Sequence, residues 1–288
     1  MAKSIMIQGT ASGVGKTIIT MALCRIFKQD GYKVAPFKSQ NMTSATAFTK
    51  NGGEPQEIAV SQLLQAYAAG TEPNAKMNPV ILKYSRERGK EGTQVILNGK
   101  YHDTINAYNF KEIKKALIPE IMRAYEDLSR QYDIIVIEGA GSPAELNLTK
   151  NSANNNEDIV NMGIAKRAQS PVLLAADIDR GGVFASLYGT ISLFDDAERA
   201  YVKATVVNRF KGDREHFKGG VAILEEITGI PVAGVIPFVQ FDIPEEDSLY
   251  CNNVAPDGDF DSQFNIIADT VRSSLNMDLI YKIINDGM

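Results

Sequence analysis

The stretch SIMIQGTASGVGKT, residues 4–17, constrains what this chain can fold into more than any other. Ser4 to Gln8 is a short apolar run closed by a glycine, the pattern of a buried strand. Gly9, Gly13 and Gly15 then space a loop that ends in Lys16-Thr17. Beyond it the apolar residues Ile18/Ile19, Ala22/Leu23 and Ile26/Phe27 recur at helical intervals, so a helix begins at the lysine. Strand, glycine loop, Gly-Lys-Thr and helix in that order make a phosphate-binding loop. Glycines let successive backbone N–H groups turn into one concavity, and the positive end of the helix faces the same anion. Gly13, Val14 and Gly15 would line that concavity, Lys16 would bring a full charge to the outer phosphates, and the Thr17 hydroxyl is placed to hold Mg²⁺. Gly9 falls one residue earlier than the regular spacing of such loops.

The rest of the chain repeats one grammar. Val34 to Lys38 is a second short strand, followed by Ser39-Gln40-Asn41, and EIAVSQLLQAYAA (57–69) has helical periodicity. Residues 84–104 turn polar, with an edge strand expected at Gln94–Leu97. Asn109 with Glu112 reads as an N-cap and its reciprocal partner, opening a helix to about Gln131 that Pro119 is expected to kink. DIIVIEGAG (133–141) contains four consecutive apolar residues and reads as a central strand covered on both faces. Strands at 170–177, 204–210 and 230–238 alternate with helices at 180–194 and 213–228. This order predicts an α/β fold with a mostly parallel central sheet and helices on both faces. An Asn-rich loop at 149–158 falls outside the pattern, as does a polar linker at 250–262. After the linker comes an amphipathic helical stretch, 263–284, broken near Asn276-Met277-Asp278. The expected organisation is therefore one domain over 1–249, the linker, and a helical tail over 263–288.

Composition narrows the setting. A formal charge of −5, from 30 Lys+Arg against 35 Asp+Glu, argues against a general nucleic-acid binder. The only cysteines, Cys24 and Cys251, are far apart and form no disulfide framework, an intracellular pattern. No apolar run approaches the roughly 18 residues of a membrane span. With the phosphate loop so near the start, no signal peptide is expected and the reading is cytoplasmic.

In parallel sheets ligands bind outside the carboxyl ends of the strands, which collects Lys38, Glu138, Asp177 and Asn208 onto the rim of the phosphate loop. Glu138 opens EGAGSPAE; a carboxylate ending a central strand suits an Mg²⁺ ligand or water holder, or else a tight turn with an incidental acid. Lys38 either caps its strand in solvent or neutralises charge on a transferred phosphoryl group. Glu57, at the expected start of a helix, either complements the helix dipole or binds metal. ADIDRGG (176–182) reads as a loop responsive to nucleotide or substrate. His102 and His216 suggest no catalytic pairing, and neither cysteine has a neighbouring histidine.

The stretches IQGTASGVGKT, VAPFKSQNM, MNPVILK, EGAGSPAELNL, DIVNMGIAKRA, DIDRGGVFASLYGT, VNRFKGD and PEEDSL, in order over residues 5–249, resemble the synthetase part of the cobyric acid synthases. That family lies within the wider group of dethiobiotin synthetase-like phosphate-loop enzymes, in which the irregular glycine spacing is the usual form. The resemblance implies ATP-dependent amidation of the b, d, e and g carboxylates of adenosylcobyrinic acid a,c-diamide, a corrinoid, through an acyl phosphate. Carried onto this sequence, Gly13 to Thr17 would hold the phosphates and Lys16 and Lys38 would flank the γ-phosphate. Thr17 and Glu138 would ligate Mg²⁺, Asn208 would read adenine, and Asp158, opening DIVNMG, would be a catalytic carboxylate near the acyl phosphate.

Family members normally continue after PEEDSL into a glutaminase domain, whereas here the polar linker leads directly to a stretch resembling their short tail. The expectation is a synthetase without that domain, supplied by ammonia or by a separate glutaminase subunit. Family members also point to self-association as a homodimer. A dethiobiotin-type carboxylase is the nearer alternative. A partitioning-type ATPase switch is the more distant one, because its loop carries a second lysine where this chain has Ala11.

Overall fold

The computed structural model describes residues 1–49, 53–85, 92–105, 110–146, 158–241 and 260–288. β1 (Lys3–Gly9) runs into α1 (Lys16–Gln29) and returns as β2 (Val34–Phe37). The short strands β3 (Gln40–Met42), β4 (Thr46–Thr49) and β5 (Gln56–Ala59) precede α2 (Val60–Ala68), β6 (Val80–Ser85), β7 (Gly92–Leu97) and β8 (Lys100–Ile105). Then follow α3 (Phe110–Ser129), β9 (Ile134–Glu138), α4 (Met162–Ala168), β10 (Val172–Asp177), α5 (Val183–Leu193) and α6 (Asp196–Tyr201). The last elements are β11 (Val202–Phe210), α7 (Lys218–Thr228), β12 (Val232–Pro237), α8 (Asp261–Arg272) and α9 (Met277–Asp286).

Six of these strands form one sheet in the order β12-β11-β10-β1-β9-β2, and every pairing in it is parallel. The continuous apolar runs require cover on both faces, and all residues of β9 and β10 are buried. Alternation decides which face each side chain joins. Met6, Ile135, Ile137 and Leu174 pack under α3, α4 and α5, with Leu117, Ile121, Ile164 and Leu187. Ile5, Ile7, Val136 and Leu173 pack on the other side, with Leu23 and Phe27 of α1 and Phe264, Ile267 and Ile280 of the tail. Burial of each such side chain is worth roughly 1.5–3 kcal/mol.

The structure departs from the sequence reading in particular places. Residues 56–59 are not the start of a helix: β5 pairs antiparallel with β4, Thr46 opposite Ala59 and Phe48 opposite Glu57, and the helix opens only at Val60. Pairing to the strand just upstream overrides a period that continues smoothly into α2. The strand at 92–97 is not an edge, because β7 lies between β6 and β8 in a second sheet ordered β3-β6-β7-β8. Pro119 lies inside one helical run from Phe110 to Ser129. α6 is a further helix that the alternation of strands and helices does not predict, and Asp195 and Glu198 form a complete capping box at its start. The expected N-cap Asn109, the Asn-rich loop up to residue 157, most of the polar linker and Cys251 lie outside the described residues.

The tail helices belong to the same core as α1 and are fastened by polar contacts along it. Arg25 pairs with Asp261 at 2.7 Å, and Asn276 caps α9 by accepting from the Leu279 N–H. Asp30, at the end of α1, receives Arg272 at 2.8 Å and the Tyr281 hydroxyl. Burial alone would raise the Asp30 carboxyl, but the hydrogen bonds from Arg272 and Tyr281 outweigh it and hold the group below its ordinary range. A carboxyl depressed on folding stabilises the fold above its unfolded pKa and ceases to do so as pH falls through the folded one. Asp30→Asn should therefore lower the melting temperature by about 2 °C at neutral pH. That difference should shrink as pH drops below about 4, measured by thermal denaturation across a pH series.

Candidate active site

Lys16 is the first residue of α1, and its position follows from the loop before it. Gly15 has φ 98°, and a Cβ there would stand 2.1 Å from Asn208 Nδ2, so only glycine fits. Gly9 is needed for another reason. A Cβ on it would meet Val14 at 2.5 Å and the Lys16 stem at 3.1 Å, so its place at the strand end lets the lysine fold back over the loop. The Lys16 ammonium donates to the Ala11 carbonyl at 2.9 Å and the Gly141 carbonyl at 3.0 Å. The phosphate loop is thereby joined to the turn after β9.

Glu138, at the end of β9, is the centre of the site. The Thr17 hydroxyl donates to its Oε1 at 2.9 Å, Lys38 Nζ reaches the same oxygen at 3.0 Å, and Gln65 Nε2 donates to Oε2 at 2.6 Å. Glu138 is 1% exposed and Lys38 4%. The pair tolerates burial because donors reach both carboxylate oxygens. Thr17 and Lys38 thus meet at Glu138, while Lys16 reaches the turn that follows it. Among the described residues no cluster of three or more His, Cys, Asp or Glu gathers to cage a metal. A hydroxyl and a carboxylate 2.9 Å apart nonetheless form the hard-oxygen pair that suits Mg²⁺, which commonly takes few protein ligands and completes its shell with phosphates and water.

Asn208 stands on the opposite side of the loop, donating to the Val14 carbonyl at 2.8 Å. It borders a cavity of about 680 Å³ that Gly13, Thr17, Arg209, Phe238 and Phe241 also line. Asp177 does not join the Glu138 group. It holds Arg209 at 3.0 Å, with Arg180 at 3.8 Å, while Lys211 pairs with Asp179 at 2.7 Å, so the loop after β10 is fixed by ion pairs.

Two expected site residues are placed otherwise. Glu57 lies in β5 and cannot complement a helix dipole. Its Oε1 accepts from the Thr46 hydroxyl and from Lys83, each at 2.5 Å, tying the hairpin to β6. Asp158 spends both carboxylate oxygens on backbone: Oδ1 accepts from Val160 and Asn161 at 2.8 and 3.0 Å, and Oδ2 from Gly163 at 2.9 Å. Asn161, so held, clasps Ala140 through its carbonyl oxygen and its amide, at 3.2 and 2.7 Å. Asp158 therefore reaches the site through Asn161 and the 138–141 turn. Lys114, half-buried nearby, is held below the usual lysine range by burial, against the pull of the Asp158 charge. Sequence reasoning missed Gln65 and Asn161. The sequence carries no signal for the first: only the structure shows that Ser61, Gln62 and Gln65 are buried in a helix otherwise packed with apolar residues.

A model for the CobQ/CobB/MinD/ParA nucleotide binding domain matches residues 5–248, most of the chain. The chain belongs to this family. Within the CobQ/CobB/MinD/ParA family it is 52% identical over 253 residues to a cobyric acid synthase of Lachnoclostridium phytofermentans, covering 86% of this chain and 47% of that protein. It is 53% identical over 249 residues to one of Ruminiclostridium cellulolyticum, covering 86% and 46%. The chain thus spans about half the length of the curated relatives it matches. Among solved structures it is similar to the MinD cell division protein of Aquifex aeolicus, at 17% identity over 83% of each chain with a TM-score of 0.41, which adds nothing to the topology already described. No helix of the described residues is long and apolar enough to cross a membrane.

A side chain at Gly15 must displace Asn208 and hold an unfavourable φ. Gly15→Ala should therefore weaken nucleotide binding at least about tenfold, the equivalent of ~1.4 kcal/mol. Calorimetric titration of a variant with a wild-type circular dichroism spectrum checks this.

Proposed function

We propose that this chain uses ATP to activate peripheral carboxylates of a corrinoid for amidation by ammonia, converting adenosylcobyrinic acid a,c-diamide towards cobyric acid. The observation that carries this reading is the 52–53% identity to cobyric acid synthases across 86% of the chain. The convergence of Lys16, Thr17, Lys38 and Glu138 supports the phosphoryl-transfer half of the reaction.

A substrate carboxylate oxygen attacks the γ-phosphorus, the bond from that phosphorus to the bridging oxygen breaks, and ADP leaves. Ammonia then attacks the acyl carbon, the carbon–oxygen bond to phosphate breaks, and inorganic phosphate departs with the proton balance met by phosphate or solvent. Lys16 would turn from the Ala11 and Gly141 carbonyls to the outer phosphates, and Lys38 would face charge building on the transferred group. Mg²⁺, when bound, would neutralise phosphate charge, and Thr17 and Glu138 would hold it. Asn208, beside the cavity, would read adenine. Glu57 is assigned to holding the β4–β5 hairpin against β6, and Asp158 to positioning the turn after β9.

Ammonia is the proposed nitrogen nucleophile, delivered from solution or by a separate glutaminase subunit. Cys24 is unsuited to attack glutamine: burial, reinforced by the Glu138 charge, pushes its thiol far above the reactive range. Purified protein given ATP, Mg²⁺ and cobyrinic acid a,c-diamide should form amides with ammonium and none with glutamine as sole donor. Lys16→Ala should lower kcat/KM for the ammonium reaction by about 10²–10³-fold. Amide formation from glutamine would overturn the donor assignment. Turnover with diaminopelargonate and bicarbonate, in place of the corrinoid, would favour a dethiobiotin-type carboxylase.

A further inference from the structure

α2 carries polar side chains where a buried helix ordinarily has none. Ser61 is 6% exposed and Gln62 and Gln65 are 0% exposed, beside Leu63 and Leu64. Buried amides persist where they are hydrogen-bonded, so their partners show what they serve. The bonds run in one direction. Asn41 Nδ2 of β3 donates to Gln62 Oε1 at 3.0 Å, and the Ser61 hydroxyl donates to that oxygen at 3.1 Å. Gln62 Nε2 approaches Gln65 Oε1 at 3.5 Å. Gln65 Nε2 then donates to Glu138 Oε2 at 2.6 Å and to the Thr17 carbonyl at 3.4 Å. An amide oxygen only accepts and an amide nitrogen only donates. With its oxygen turned to Gln62, Gln65 must present its N–H groups to Glu138.

We propose that Gln65 is a positioning residue for the metal–nucleotide site. Its amide holds Oε2 of Glu138 to one side, which fixes the rotation of the carboxylate and turns Oε1 towards the Thr17 hydroxyl, where Mg²⁺ accompanying ATP would bind. The terminal torsion of a glutamate is broad, so a donor on the far oxygen is what gives this ligand a single orientation. Through Gln62 and Asn41 that orientation is set by β3 of the second sheet, while the bond to the Thr17 carbonyl ties it to α1. The inference rests on reading Thr17 and Glu138 as the metal-binding pair.

The test measures ATP affinity by calorimetry with EDTA and with Mg²⁺, and takes the ratio as the magnesium-dependent gain. Gln65→Leu keeps bulk and removes the donor. It should lose about tenfold of that gain while its affinity in EDTA stays within about twofold of wild type. Gln62→Leu, one bond further away, should lose a smaller part in the same direction. A folded Gln65→Leu protein with the wild-type gain overturns the inference, and so does an equal loss with and without Mg²⁺, which would make Gln65 a general support of the loop. Should Gln65→Leu fail to fold, as judged by thermal melting, Gln62→Leu decides, and an unchanged gain there overturns it. Glu138→Gln runs alongside. If that variant keeps the wild-type gain, the metal-pair reading itself falls, whereas loss of the gain in Glu138→Gln but not in Gln65→Leu rejects Gln65 alone.

Discussion

A carboxylate with no exposed side-chain surface, ending the strand next to β1, is what the remaining arrangement depends on. Removing Glu138 from water is costly, and the cost is met only because a lysine directly after β2, a hydroxyl from α1 and an amide from α2 converge on it. Loss of one partner of such a buried pair typically costs about 3–5 kcal/mol, because the other charge is left uncompensated. The three donors come from three elements, so the carboxylate fixes how α1, α2 and β2 sit against β9. The proposed magnesium-holding group and the structural keystone are the same residue.

The second layer of the site follows from backbone geometry rather than charge. Lys16 lies across its own loop to the Gly141 carbonyl, Asn161 clasps Ala140, and Asp158 orders the chain before Asn161. This is a relay of positions: the start of α4 sets the turn after β9, and that turn sets where the ammonium rests. A phosphate drawing Lys16 away would release the Gly141 carbonyl, so occupancy of the loop and the shape of the turn are coupled through one side chain.

The central sheet was legible because its strands are continuous apolar runs followed by helical periods, a pattern that only a doubly covered parallel sheet satisfies. The rim residues were legible for the same reason: strand ends in such a sheet share one edge. The shortest strands were not. β3, β4 and β5 are three or four residues long and contain Gln40, Asn41, Gln56 and Glu57, which carry no strand signal. Their structure comes from pairing across loops, so Ile58 and Ala59 looked like the first turn of α2. Gln65 was hidden differently. Within a helical period it reads as a solvent-facing position, and only the approach of β9 shows that it is buried. Asp158 opens DIVNMG ahead of Asn161, the N-cap of α4, and the sequence does not reveal that both its oxygens are already used by backbone.

The claim that this rim transfers a phosphoryl group to a carboxylate is tested most directly by following an oxygen atom. Cobyrinic acid a,c-diamide labelled with ¹⁸O in its carboxylates would be incubated with the protein, ATP, Mg²⁺ and ammonium, and the released phosphate examined by mass spectrometry. An acyl phosphate hands one carboxylate oxygen to phosphorus, so each inorganic phosphate released should carry a single ¹⁸O for each amide formed. Amide formed alongside unlabelled phosphate would contradict the account.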